Sequence, residues 1–201
     1  MIRELVLATG NPHKQQELKN LLADVGIKIL SLKDFPGVPV IEEDGRTCRE
    51  NAMKKAGKIA QFTGHWALAD DTGLEVDALE GRPGVYAARY AGEQATYEDN
   101  CRKLLKEMEH VPPGRRSARF ITVMALSNPA GEMEVVEGLL PGQITQQFQG
   151  TQGFGYDPIF FVPELGQTLA ELSLDKKNQV SHRAQAFKKV KEILLKKVSH
   201  A

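Results

Sequence analysis

Leu5-Val6-Leu7-Ala8-Thr9-Gly10-Asn11-Pro12-His13-Lys14 reads as a buried strand, a turn and the start of a helix. The leading apolar run is of the kind found in a strand covered on both faces. Gly10 ends it, and Pro12 suits a first helical turn, where its missing N–H is not needed. Leu18, Leu21, Leu22 and Val25 follow at helical spacing, Gly26 stops the helix, and Ile27 to Leu32 alternates as a second strand. Strand, helix and strand in this order predict an α/β fold with some parallel pairing.

Further along, residues 33–46 form a Pro/Gly-rich loop carrying Glu42-Glu43-Asp44. Thr47-x-x-Glu50 is a capping box, opening a helix with Ala52, Met53, Ala56, Ile59 and Ala60 on its apolar face. Trp66 to Ala69 is a strand that runs into an acidic turn, Asp70-Asp71-Thr72-Gly73. Thr96-x-x-Asp99 caps a helix reaching about His110. Phe120 to Leu126 and Met133 to Leu140 flank the turn Asn128-Pro129-Ala130-Gly131 as a hairpin, and Gln143 to Phe148 and Pro158 to Val162 are two more strands. Ser181 is a good N-cap for a last helix to Val198. No repeat, low-complexity tract or dividing linker interrupts this, so residues 1–201 are read as a single domain.

Composition narrows the function classes. Lys and Arg together number 26, as do Asp and Glu, so the chain lacks the basic excess of a non-specific nucleic-acid or membrane-surface binder. The basic run Lys188 to Lys197 lacks interleaved aromatics and reads as a solvated helix face. No apolar run approaches the roughly 20 residues of a membrane span, and the N-terminus lacks a signal-peptide core. Cys48 and Cys101 fall in helical segments without zinc-ligand spacing, which points to free thiols in a reducing, cytosolic compartment.

Four segments could carry chemistry. Thr9 to Lys14 joins a strand to a helix, where backbone N–H groups, the helix dipole and Lys14 favour a phosphate. It is neither a P-loop nor a dinucleotide fingerprint, and a plain turn is the alternative. Asp70 and Asp71 follow a strand, where α/β sheets bind ligands. Adjacent carboxylates repel unless a cation or hydrogen bonds compensate. With Glu42 or Glu43 they match the oxygen ligands that Mg²⁺ prefers, or they form an acidic turn held by backbone amides. Gly153-Phe154-Gly155-Tyr156-Asp157-Pro158 offers close backbone approach and a ring that can stack on a base, or a tight turn into a strand. Ser181-His182-Arg183 begins the last helix.

In order along the chain, Thr9-Gly10-Asn11-x-x-Lys14, Glu42-Glu43, Ala69-Asp70-Asp71-Thr72-Gly73-Leu74, Pro83-Gly84-Val85-Tyr86-x-Ala88-Arg89-Tyr90, Gly153-Phe154-Gly155-Tyr156-Asp157-Pro158 and Ser181-His182-Arg183 closely resemble the inosine/xanthosine triphosphate pyrophosphatases. The resemblance runs from about residue 5 to the last helix. It implies an elongated mixed β-sheet with flanking helices, two lobes around a central cleft, and a homodimer. It also implies hydrolysis of ITP, dITP and XTP to monophosphate and pyrophosphate, with Mg²⁺ as cofactor; the charge balance already argues against a nucleic-acid or membrane partner. By the same resemblance, Thr9, Gly10, Asn11, Pro12, His13 and Lys14 hold the triphosphate. Asp71 is proton acceptor and metal ligand, Glu42 is the second ligand, and Thr72 touches substrate. Phe154, Gly155, Tyr156, Asp157, Lys177, His182 and Arg183 bind the nucleoside. Hypoxanthine and xanthine present an acceptor oxygen at C6 where adenine presents an amino donor, and Lys177 and Arg183 carry donors only. A nucleotide sensor without catalysis would need the same contacts but not the carboxylates.

Overall fold

The computed structural model describes residues 2–199. Among the described residues, eight strands and five α-helices follow in the order β1 (Glu4–Leu7), α1 (Pro12–Leu22), β2 (Lys28–Ser31), α2 (Cys48–Thr63), β3 (Trp66–Val76), β4 (Pro83–Gly84), α3 (Tyr97–Glu107), β5 (Ser117–Ser127), β6 (Met133–Ile144), β7 (Phe160–Val162), β8 (Gln167–Thr168), α4 (Leu174–Val180) and α5 (His182–Ser199). The strands form one mixed sheet in the order β2-β1-β3-β5-β6-β7-β8, with β4 on β3. β1 lies parallel to both β2 and β3, whereas β4 on β3, and β7 on β6 and β8, are antiparallel. The expected α/β class and the parallel start are therefore observed.

The chain divides into two compact units, to both of which β3, β5 and β6 contribute residues. Among the described residues, the first holds the chain to Asp71, Thr122–Gly138 and the chain from Arg183; the second holds Thr72–Ile121 and Leu139–His182. Each has its own core. In the first, Leu5 and Leu7 of β1, Leu18 and Leu22 of α1 and Leu68 of β3 pack with Ala186, Phe187, Val190 and Leu194 of α5. The spacing of the last four residues is that of one helical stripe, which leaves Lys188 and Lys189 outward. In the second, Leu74, Val76, Cys101, Leu104, Phe120, Tyr156 and Phe160 share a core. Buried Arg116 there donates to the carbonyls of Met108, Val111, Ile144 and Thr145, tying the end of α3 to the end of β6.

Local chemistry explains several boundaries. Asn11 caps α1, its side chain accepting from the His13 and Lys14 amides. Thr47 caps α2 through Glu50 N, but the Glu50 carboxylate turns back to Arg46 N, so the expected reciprocal box is half made. The Thr96–Asp99 box is complete. Four expectations change. β3 does not stop at Ala69 but carries Asp70 to Gly73 inside the strand. β6 runs unbroken to Ile144, absorbing the strand expected to start at Gln143. Met53 lies 37% exposed rather than on the core face of α2. α4 is a further helix just ahead of the last one. Cys48 and Cys101 are buried free thiols on helices, as expected. Among the described residues, no helix is long and apolar enough to cross a membrane.

Candidate active site

Because Asp70 and Asp71 are consecutive in a strand, their side chains leave opposite faces. That alternation gives the two carboxylates separate surroundings within the first unit. Asp70 is fully buried, and its Oδ2 lies 3.0 Å from Lys14 Nζ and 3.3 Å from Arg183 Nε. Arg183 also donates through Nη1 to buried Glu17 of α1. Burial pushes the Asp70 carboxyl up, but the charges of Lys14, Arg183 and Lys55 outweigh it and hold this group far below the usual carboxylate range. Asp70 thus stays ionised at neutral pH, ties α1, β3 and α5 together and fixes the Lys14 ammonium.

Asp71, 5% exposed, meets α2 instead. Its Oδ2 accepts from Asn51 Nδ2 at 3.1 Å, and Lys55 Nζ stands 3.8 Å from its Oδ1. Asn51 and Lys55 are one helical turn apart, so both present to the same side of α2. Lys55 also donates to Glu43 Oε1 at 2.5 Å and to the Asp70 carbonyl at 2.6 Å. Burial raises the Asp71 carboxyl above its ordinary value, Lys55 and Lys14 oppose this, and Glu43 pushes it further up. A carboxylate with raised proton affinity is suited to accept a proton from a nearby water.

The Thr9–Lys14 turn differs in one respect from the expected phosphate cradle. The amides of His13 and Lys14 are taken by Asn11 Oδ1 at 3.0 and 3.3 Å, and Gln15 Nε2 donates to Thr9 O at 2.7 Å. Attraction for an anion here rests mainly on the half-buried Lys14 ammonium. Pro12 and His13 are exposed, and Thr9 is buried.

In the second unit, Asp157 organises the Gly153–Pro158 segment. Its Oδ2 accepts from Phe154 N at 2.8 Å and from buried Lys177 Nζ at 2.7 Å. The same ammonium lies 4.6 Å from the centre of the Phe154 ring. Gly153 has φ +78°, and a Cβ there would sit 2.1 Å from Asp157 Oδ2, so the loop requires glycine at that point. Gly155 also needs positive φ, but with open space around it. Tyr156 belongs to the core and donates its hydroxyl to Ala87 O at 2.9 Å. His182 is buried with its ring stacked on Phe120 at 4.4 Å. Thr72, half-buried, is the first residue of this unit.

The geometry gives partners or surroundings to two further expected residues. Arg183, expected on the base, is engaged by Asp70 and Glu17 in the first unit. Glu42 is exposed, and it is Glu43 that shares Lys55 with Asp71. Lys55, Asn51 and Glu17 escaped sequence reading; the signal for the first two was a polar pair four residues apart bordering an apolar helical stripe.

Among the described residues, no three His, Cys, Asp or Glu side chains converge to hold a metal. Mg²⁺ does not require such a cage, because it binds through one or two carboxylates and completes its shell with water and substrate phosphate. Asp71 and Glu43, gathered about an ammonium, are hard oxygen donors already holding a cation, and they fit that demand.

The Ham1 family model matches residues 5–193. The dITP/XTP pyrophosphatase of Desulforamulus reducens is 52% identical over 191 residues, 95% of each chain, and that of Geobacter sulfurreducens is 52% identical over 190 residues, 94% of this chain and 96% of its own. A HAM1 protein from Coxiella burnetii superposes with a TM-score of 0.89 at 42% identity, covering 98% of this chain and 100% of its own. With its fold, its sequence and nearly its whole length matched in this way, the protein belongs to the Ham1 family.

Proposed function

We propose that the protein hydrolyses non-standard purine nucleoside triphosphates (ITP, dITP and XTP) to the monophosphate and pyrophosphate, removing them from the pool available for DNA and RNA synthesis. The observation that carries this reading is the division of labour within β3. Asp70 is locked as an anion that orients Lys14, while its neighbour Asp71 is kept with a raised proton affinity beside Asn51 and Lys55.

Lys14 draws the phosphates by charge, and the Thr9–Lys14 turn sets where they lie. Asp71, held by Asn51, takes a proton from the attacking water at one carboxylate oxygen and orients that water toward the α-phosphorus. Asp71 with Glu43 or Glu42 would hold Mg²⁺, which when bound neutralises phosphate charge and lowers the pKa of water. The base is read in the second unit. The Phe154 ring supplies a stacking face, and Lys177, aligned by Asp157, offers donors to the C6 oxygen of a keto purine. Adenine would set its amino group against those donors and leave buried groups unpaired, which discriminates strongly. Tyr156 and Asp157 serve by shaping the loop, and His182 by its place on Phe120. A homodimer in the cytosol accompanies this reading.

The test is a panel of purine and pyrimidine triphosphates with Mg²⁺, scored for pyrophosphate. ITP, dITP and XTP should release pyrophosphate and monophosphate, and ATP very little. A diphosphate with orthophosphate would instead mark a general nucleoside triphosphatase, and binding without turnover would mark a sensor.

A further inference from the structure

Lys14 and Arg183 attend to Asp70, and Arg183 also to Glu17. Asp71 and Glu43 share the ammonium of Lys55, which is 8% exposed, and Lys14 also acts on Asp71 by its charge. A divalent ion at the place of that ammonium would meet both carboxylates with one more unit of positive charge. Lysine is a compact charge on a flexible four-carbon stem and can withdraw without moving its helix. Its third contact is a main-chain oxygen, the carbonyl of Asp70.

We propose that Lys55 is a resident counter-ion occupying the place of the divalent cation between Asp71 and Glu43, and that a divalent cation loads by displacing its ammonium. This rests on the reading of Asp71 as a metal ligand. In the metal-free protein Lys55 keeps the two carboxylates drawn together instead of splayed by mutual repulsion. It also makes loading competitive, since a positive charge must leave as the ion enters. Removing that charge therefore tightens the site for a metal alone, the opposite of what loss of an ordinary structural residue would do.

Mn²⁺ alone, without nucleotide, serves as the probe, its free concentration followed by electron paramagnetic resonance with the full-length protein. Lys55→Met should bind Mn²⁺ at least about tenfold more tightly than wild type, and Lys55→Arg, which keeps the charge, about as weakly as wild type. Circular dichroism checks folding; if Lys55→Met does not fold, Lys55→Gln, which retains a donor for the Asp70 carbonyl, carries the same expectation. Binding by the uncharged variant that is unchanged or weaker overturns the proposal. Asp71→Asn separates the two ideas. If it binds Mn²⁺ as wild type does, the metal reading of Asp71 fails. If it abolishes binding while loss of the Lys55 charge does not tighten it, only the role of Lys55 fails.

Discussion

In the first unit charges are gathered in numbers: Lys14, Lys55 and Arg183 stand among Asp70, Asp71, Glu17 and Glu43. In the second, one buried pair, Asp157 and Lys177, sits beneath a glycine-hinged aromatic loop. On the proposed reading, the contrast follows from what each ligand part demands. The charge of a triphosphate is redistributed as its phosphoanhydride bond breaks, so the first unit needs several groups of both signs whose protonation differs, and strand alternation at Asp70 and Asp71 supplies that. A purine is flat and carries its acceptors at fixed places, so the second unit needs a ring to stack on and a donor in a fixed place, and one carboxylate oxygen that accepts from both Phe154 N and Lys177 supplies that.

The comparison can be broken in graded ways. Asp71→Asn should lower turnover of ITP by about 10²–10⁴-fold, the range for a general base, while leaving circular dichroism and the preference for ITP over ATP intact. Near-normal turnover would remove Asp71 from the chemistry. Asp70→Asn should act on stability, costing about 3–5 kcal/mol in urea unfolding, because Lys14 and Arg183 lose their buried counter-charge. The folded Asp70 carboxyl lies below its unfolded value, so its contribution is complete above about pH 4 and is lost as the pH falls through the folded value. In Asp70→Asn that portion of the acid destabilisation should vanish from a plot of Tm against pH.

Smaller effects are expected in the second unit. Gly153→Ala places a methyl against Asp157 at positive φ and should cost about 1 kcal/mol or more, raising KM for ITP with pyrophosphate still the product. The Cys101 thiol donates to Gly155 O at 3.3 Å, and burial, with Asp157 and Glu98, pushes it up to about 12. It should therefore react with a thiol-disulfide reagent at pH 8 no faster than global opening of the fold allows. Rapid reaction would show that the loop base is open.

Much of the architecture was legible because local rules agreed with the fold. The apolar run before Pro12, the Thr96–Asp99 box and the Asn128–Gly131 turn each state their structure in a few residues. The failures share a cause. Asp70 to Gly73 carries the composition of a turn, yet remains strand, with cations brought from α1, α2 and α5 offsetting the charge of its carboxylates. The Arg183–Glu17 pair joins residues 166 positions apart, and no local pattern announces it. Lys55 has the look of a solvated helical lysine, and only the packing of α2 against β3 makes it an internal cation. The motif residues of the candidate site were legible through resemblance, whereas the groups that hold them in place emerged from the geometry.

The most direct test of this division of labour is the ratio of kcat/KM for ITP to that for ATP in Asp157→Asn combined with Lys177→Met, a pair of changes that neutralises both members of the ion pair. The account predicts that the ratio falls on the order of 10²-fold or more, with pyrophosphate still the product. A ratio within about twofold of wild type would contradict it, because base selection would then lie outside the Asp157–Lys177 pair.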